Sequence, residues 1–284
     1  MKHGEYKIEN SIKSIAIGSF DGMHTAHQKV VEVVDAIVII ERNTGYLTPG
    51  YKRSCYTNKI CCFYFFDVIS TLSPEAFVAK LKEDFPHLER IVVGYDFAFG
   101  KAKAGNAQTL AKLFDKEVMV IEEIMIEGIS VHSRTIKALL RKGELAMANR
   151  LLGRKYRLEG DIVTGQGLGK KALVPTLNLK VAHYQLPLEG VYATRTKVGG
   201  EWFASVSFLG HRVTTDGSYA VETHLLETTV EITEGESMVE FSAFLRENRK
   251  FDSLEALKAQ IEEDIKQAKH SLASTDSFEE TNLC

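Results

Sequence analysis

Ile15-Ala16-Ile17-Gly18-Ser19-Phe20-Asp21-Gly22-Met23-His24-Thr25-Ala26-His27 runs a short apolar strand through a glycine-flanked turn and into two histidines three residues apart. A helix opening near Met23 would put His24 and His27 at i and i+3, on one face of its first turn. The free N–H groups of that turn and the positive end of the helix dipole favour an anion at the same place. Gly18 and Gly22 let the backbone turn sharply and approach a ligand closely, and Ala26 adds little bulk between the imidazoles. Two imidazoles aimed at one phosphorus would stabilise the charge that gathers on its equatorial oxygens during transfer, with no covalent step required. The stretch therefore reads as a phosphate-holding corner, with His24 and His27 as the catalytic pair and Gly18, Phe20, Asp21 and Gly22 shaping the nucleotide site.

Outward from this corner, apolar runs at 15–18, 36–40, 61–66, 91–93 and 118–121 alternate with helical patterns at 28–34 and 75–81. Such alternation predicts a parallel sheet covered by helices, with ligands bound at the carboxyl ends of the strands. A helical stretch over 134–151 closes this α/β domain. After Gly153 the cadence changes to short strands at 158–163, 177–181, 192–197, 203–209, 220–226 and 238–245, which predicts an antiparallel barrel or sandwich. Leu254, Leu257, Ile261 and Ile265 then recur at helical spacing, so a terminal amphipathic helix is expected to pack on the barrel. The last ten or so residues, rich in Ser, Thr and Glu, read as frayed.

A chain of 284 residues is long enough for two ordinary domains. Its 44% hydrophobic and 26% charged content is that of a soluble globular protein, and 35 basic against 38 acidic residues leave a net charge of −3. No global basic field exists to attract nucleic acid or an anionic membrane, and no apolar run approaches the roughly 20 residues of a membrane span. A cytosolic protein acting on small molecules is expected. Cys55, Cys61, Cys62 and Cys284 lack metal-binding spacing; Cys61 and Cys62, adjacent in a predicted strand, should point to opposite faces as reduced, small hydrophobes.

Gly18-Ser19-Phe20-Asp21-Gly22-Met23-His24-Thr25-Ala26-His27-Gln28 resembles the G-x-F-D-G-x-H-x-G-H-Q signature of the bacterial bifunctional riboflavin kinase/FAD synthetase family, with Ala26 in place of the usual glycine. Val93-Gly94-Tyr95-Asp96-Phe97-Ala98-Phe99-Gly100 is similar to its V-G-x-D-F-x-F-G block, and Leu152-Gly153-Arg154-Lys155-Tyr156 to the L-G-R-x-Y junction between its modules. Pro175-Thr176-Leu177-Asn178-Leu179, Gly190-Val191-Tyr192 and the Glu222/His224 block follow in the family's order. The resemblance implies a Rossmann-like FMN adenylyltransferase domain over 1–152 and a riboflavin kinase β-barrel with a terminal helix over 153–284. It further implies ATP as co-substrate with Mg²⁺, riboflavin and FMN as the flavin partners, and Asp96 and Phe97 on the flavin side of the first site.

Gly165-Gln166-Gly167-Leu168-Gly169-Lys170-Lys171 offers backbone N–H groups and positive charge to phosphates, with Gly165, Gly169, Lys170 and Lys171 as the expected contacts; by itself such a loop is commonly a solvated turn. Thr176 and Asn178 project oxygen donors from one strand face, chemistry suited to Mg²⁺, and the resemblance implies that role for them. Phosphorylating an alcohol needs a base, whereas a phosphate attacking ATP is already ionised. Glu222 alternates with Val221, Thr223 and Leu225 on the face opposite the apolar one, at the position that matches the family's general base.

The family's S-S-T-x-I-R block reads His132-Ser133-Arg134-Thr135-Ile136-Lys137 here. Ser133 and Arg134 are the expected triphosphate contacts, the arginine fork being suited to such anions. Two further readings stay open on the sequence: a monofunctional kinase with a decayed N-terminal domain, favoured by this altered block, and a non-catalytic flavin- or nucleotide-binding regulator, against which Glu222 and Thr176 argue.

Overall fold

A computed structural model describes residues 11–42, 46–163, 174–211, 219–228 and 234–273. The chain divides into two compact units between Ser133 and Arg134. The first contains β1 (Ser14–Gly18), α1 (Thr25–Val31), β2 (Ala36–Glu41), β3 (Ile60–Phe65), α2 (Phe66–Ile69), α3 (Pro74–Asp84), β4 (Arg90–Gly94), β5 (Ala98–Phe99), β6 (Gly105–Asn106), α4 (Ala107–Leu113), β7 (Glu117–Ile121), β8 (Met125–Ile126) and β9 (Ile129–Ser130). β1, β2, β3, β4 and β7 form one parallel sheet in the order β3-β2-β1-β4-β7.

Both faces of this sheet are covered, which is why its strands read as unbroken apolar runs. Ile15, Ile17, Val38, Ile91 and Val93 pack against Phe77, Leu81, Leu110 and Phe114 of α3, α4 and the turn after α4. Ala16, Ile37, Ile39 and Val92 pack on the other side against Val30 and Val31 of α1 and the following Val34. Cys62 joins the first cluster and Cys61 the second, on opposite faces as the strand alternation requires. Burial pushes both thiols up, that of Cys61 to about 11, so they stay protonated.

Three local expectations shift. The first helix opens at Thr25 instead of Met23, because the Met23 backbone has φ +42° and closes a turn by donating its N–H to the Phe20 carbonyl. The strand expected over 61–66 ends at Phe65, and Phe66 starts α2. The single helical stretch over 134–151 is two helices, α5 (Ser133–Arg141) and α6 (Leu145–Leu152). Gly143, at φ +75°, stops α5 in the left-handed conformation that glycine reaches without steric cost.

These two helices belong to the second unit with β10 (Tyr156–Val163), β11 (Leu177–Val181), β12 (Gly190–Val198), β13 (Glu201–His211), β14 (Tyr219–Leu225), β15 (Glu236–Glu247) and α7 (Leu254–Ala273). Asn149 of α6 donates to the Phe241 carbonyl at 3.0 Å and accepts from the Tyr156 N–H at 2.7 Å. The six strands close into an antiparallel barrel in the order β10-β11-β14-β13-β12-β15, which resolves the barrel-or-sandwich choice. α7 covers Val191, Ala193 and Val206 with Ile265, Ala268 and Leu272. Leu254, expected in the packing stripe, is exposed. The buried Asp264 of α7 instead takes a two-pronged bond from Arg246, at 2.8 and 2.7 Å.

The opposite faces of β12, β13 and β14 turn into the barrel and carry hydroxyls. Thr194, Thr196, Ser205, Ser207 and Thr223 are all 0% exposed. They form a closed circuit, Thr194–Ser205–Thr196–Thr223–Ser207–Thr194, with oxygens 2.8–2.9 Å apart. In such a ring every hydroxyl can donate once and accept once, which offsets the cost of burying five polar groups. Thr196→Val keeps the shape and deprives Ser205 and Thr223 of a partner each. The expected loss is about 1–3 kcal/mol, read as a lower denaturant midpoint for the barrel at unchanged slope; an unmoved midpoint would mean that the circuit contributes nothing.

Candidate active sites

In the parallel sheet the strand order reverses between β1 and β4, and that is where a ligand crevice opens in folds of this kind. Pairing of the two strands runs from Ser14–Arg90 to Ala16–Val92. Beyond it the two strands part, each staying paired only with its outer neighbour as far as Gly18 and Gly94, and then β1 runs into the histidine corner and β4 into Tyr95-Asp96-Phe97. The two blocks singled out in the first half of the sequence thus flank one crevice. Gly18 ends β1 with the Phe20 ring 3.5 Å from where its β-carbon would stand, so the ring closes over the strand end.

His24 is the N-cap of α1 and is 3% exposed. Its Nδ1 accepts the His27 backbone N–H at 3.4 Å, so the ring proton of the neutral form lies on Nε2. The two imidazoles stack, 3.6 Å between centroids and 15° between planes, and Phe20 tilts over His27 at 5.2 Å. They stand side by side because one is the cap and the other lies in the first turn, a closer pairing than two residues on one helix face. Phe20, Gly22 and Met23 have φ of +48°, +88° and +42°. The two non-glycine positions store of order 1–3 kcal/mol each, held by surrounding contacts.

Asp21 is 3% exposed and its Oδ1 accepts the N–H groups of Leu47 and Thr48 at 2.8 and 3.1 Å. It shapes the corner from beneath. Its carbonyl accepts the Ser133 hydroxyl at 2.7 Å, which brings together two expected site residues 112 positions apart; Arg134, next along, is exposed. Arg53, which no sequence pattern marked, is 0% exposed and donates from Nη1 to the Ser19 carbonyl at 2.7 Å and from Nε to Gly50 at 3.1 Å. It is ion-paired with Glu41 at the end of β2, and the Tyr46 ring lies 4.7 Å away. Across the crevice the Asp96 side chain is exposed, while Phe97 is half-buried, packs on the core and stacks on Phe99 at 5.4 Å.

In the barrel, Asn178 of β11 stands directly opposite Glu222 of β14. The register continues from Leu177–Thr223, so Thr176 comes level with His224, whose Nδ1 lies 2.8 Å from the Pro175 carbonyl. Glu222 and His224 are half-buried, between the buried Val221, Thr223 and Leu225. A hydroxyl, an amide oxygen and a carboxylate therefore share one outer face, and a set of oxygen donors is what Mg²⁺ takes. Among the described residues no group of three His, Cys, Asp or Glu side chains is placed to hold a metal ion. Gly165, Gly169, Lys170 and Lys171 lie outside the described residues.

A family model described as FAD synthetase matches residues 52–135, and one described as riboflavin kinase matches residues 152–272. A bifunctional riboflavin kinase/FMN adenylyltransferase of Listeria monocytogenes is 30% identical over 283 residues, which cover 89% of this chain and 90% of the relative. The chain belongs to the bifunctional riboflavin kinase/FMN adenylyltransferase family. A relative of the same description from Pseudomonas fluorescens is 29% identical, covering 89% of this chain and 91% of its own.

As a member of the bifunctional riboflavin kinase/FMN adenylyltransferase family, the chain is an ATP-dependent transferase of flavin-cofactor synthesis that carries both modules. This favours the bifunctional reading over a lone kinase or a regulator. A solved structure titled a macrolide-efflux protein from Streptococcus pneumoniae superposes with a TM-score of 0.81 at 23% identity, covering 92% of this chain and 95% of that one, and shares the fold. Among the described residues no helix is long and apolar enough to cross a membrane.

Proposed function

We propose that the β11–β14 face of the barrel phosphorylates riboflavin with ATP to give FMN. We further propose that the crevice between β1 and β4 transfers AMP from ATP to FMN, releasing pyrophosphate and forming FAD. The observation that carries this reading is the meeting of both first-half motifs at the one point where the strand order reverses. In the crevice the FMN phosphate is already anionic, so the protein needs no base there. His24, its Nε2 bearing the proton, and His27 stabilise charge on the α-phosphate as it is attacked. Arg134 holds the triphosphate beside Ser133, whose hydroxyl fixes the corner through the Asp21 carbonyl, and Asp96 and Phe97 border the flavin.

In the barrel Glu222 accepts the proton of the primary alcohol while His224 holds the Pro175 carbonyl and with it the approach to Thr176. Thr176 and Asn178 would hold Mg²⁺, which supplies charge neutralisation for the ATP phosphates. The functional boundary lies at 152/153, in the Leu152–Tyr156 junction block; the riboflavin kinase match beginning at residue 152 is consistent with this, while the FAD synthetase match stops at residue 135, and the protein works in the cytosol.

His24→Ala is expected to lower FAD formation from FMN about 10²–10³-fold, the usual cost of losing one charge-stabilising donor. FMN formation from riboflavin should persist, and chromatography of the flavins separates the two. Parental FAD output from His24→Ala would remove the histidine from the mechanism. A parent chain that makes FMN and never FAD would support the decayed-domain reading.

A further inference from the structure

We infer that His132 is a positioning residue for adenylyl transfer, tying the loop after β4 to the phosphate-holding corner after β1. The inference rests on the assignment of the crevice to that reaction.

Tyr95, the first residue beyond β4, donates its hydroxyl to Glu123 Oε1 at 3.0 Å. A carboxylate only accepts, so the single phenolic proton is committed there. The phenol oxygen is then left to accept from His132 Nε2–H, 2.6 Å away. The Ser130 hydroxyl also donates to Glu123, and burial together with Glu123 holds the Tyr95 phenol above its ordinary pKa, so the donor stays protonated. The other ring nitrogen, Nδ1, faces Asp96 Oδ2 at 4.0 Å. The imidazole thus holds Tyr95 directly and stands beside Asp96, the next residue along, while its side chain is only 18% exposed.

The next residue in the chain reaches the other wall of the crevice. Ser133 donates to the Asp21 carbonyl at 2.7 Å, and the Asp21 carboxylate gathers the N–H groups of Leu47 and Thr48. A continuous path, Glu123–Tyr95–His132–Ser133–Asp21, therefore joins the carboxyl ends of β4 and β1. Its backbone is pinned at both ends by Tyr95 N–H to the Ile121 carbonyl at 3.0 Å and Val131 N–H to the Ile124 carbonyl at 2.9 Å. Misplacing Asp96 relative to the corner would weaken flavin capture, because ordering a loosened loop on binding is subtracted from the affinity of the flavin.

The test uses the full chain with FMN and ATP, measuring kcat and KM for FMN in His132→Ala, His132→Gln, Tyr95→Phe and the His132→Ala/Tyr95→Phe double variant. Riboflavin phosphorylation in the same samples controls for the other unit. Each of His132→Ala and Tyr95→Phe should raise KM for FMN about tenfold with a smaller change in kcat, and the double variant should be no worse than the poorer single, since both delete one shared contact. His132→Gln, whose amide N–H can still donate to the Tyr95 oxygen, should recover most of the loss. A parental KM in His132→Ala, effects that multiply in the double variant, or no recovery with glutamine overturns the inference. Absence of FAD from the parent chain overturns the reading beneath it as well. If His132→Ala abolishes the first unit's unfolding transition, the isosteric Tyr95→Phe decides alone: a tenfold rise supports the tie and an unchanged KM overturns it.

Discussion

Arg53→Ala is expected to destabilise the first unit by about 3–5 kcal/mol, the range for removing one partner of a buried ion pair. The guanidinium is 0% exposed and Glu41 is 7% exposed, so the loss leaves a carboxylate in a site built around a cation. It also removes the donors to the Ser19 and Gly50 carbonyls. Ser19 lies in the corner that carries two strained residues, Phe20 and Met23, so the arginine is one of the contacts that pin this backbone. In denaturant the two units should then lose structure separately, the first at a lower midpoint, and FAD formation should collapse while riboflavin phosphorylation survives.

A companion variant separates stability from function. Arg53→Met with Glu41→Leu replaces the pair by apolar groups, a change that is often neutral or stabilising, and should return most of the midpoint. FAD formation should stay low, because nothing then holds the Ser19 carbonyl. An Arg53→Ala protein with the parental midpoint would show that Glu41 is accommodated without its partner, and would sink the assignment of Arg53 as the anchor of the corner.

Glu222→Gln should lower riboflavin phosphorylation by about 10²–10⁴-fold, the contribution of a positioned general base. Glutamine keeps the shape and hydrogen-bonding capacity of the side chain and removes only its ability to take a proton. Because Glu222 is half-buried on the outer face of β14, the fold should be unaffected. FAD formation from supplied FMN should continue at the parental rate, since the crevice uses no base. A variant that phosphorylates riboflavin normally would place the base elsewhere.

Periodicity made much of this architecture legible. The unbroken apolar runs at 15–18 and 36–40 required a sheet buried on both faces, and β1 and β2 are buried by α1 on one side and α3 and α4 on the other. The glycine-histidine corner placed itself at a strand end because its chemistry is local: cap, turn and both imidazoles lie within thirteen consecutive residues. The period-two pattern of β14 likewise set Glu222 and His224 on one face before any partner strand was known. The break at Gly143 was visible as a glycine after a lysine, but helical periodicity continues across it and masked the stop.

Alternation tells which residues share a face and is silent on which face turns inward. Thr194, Thr196, Ser205 and Ser207 would be read as solvent-facing on polarity alone, yet barrel closure puts them at 0% exposure, where only their mutual hydrogen bonds make burial tolerable. Arg53 and Ser19 are 34 positions apart, Tyr95 and His132 37, and Asp21 and Ser133 112. No local propensity carries information about such pairs. The sequence by itself determined the main strands and helices to within a few residues, the change from an alternating α/β half to an all-β half, and the chemistry of the histidine corner. The strand order that sets β1 beside β4, and with it the crevice and the contacts that brace it, was decided by tertiary packing alone, because it depends on which buried faces meet.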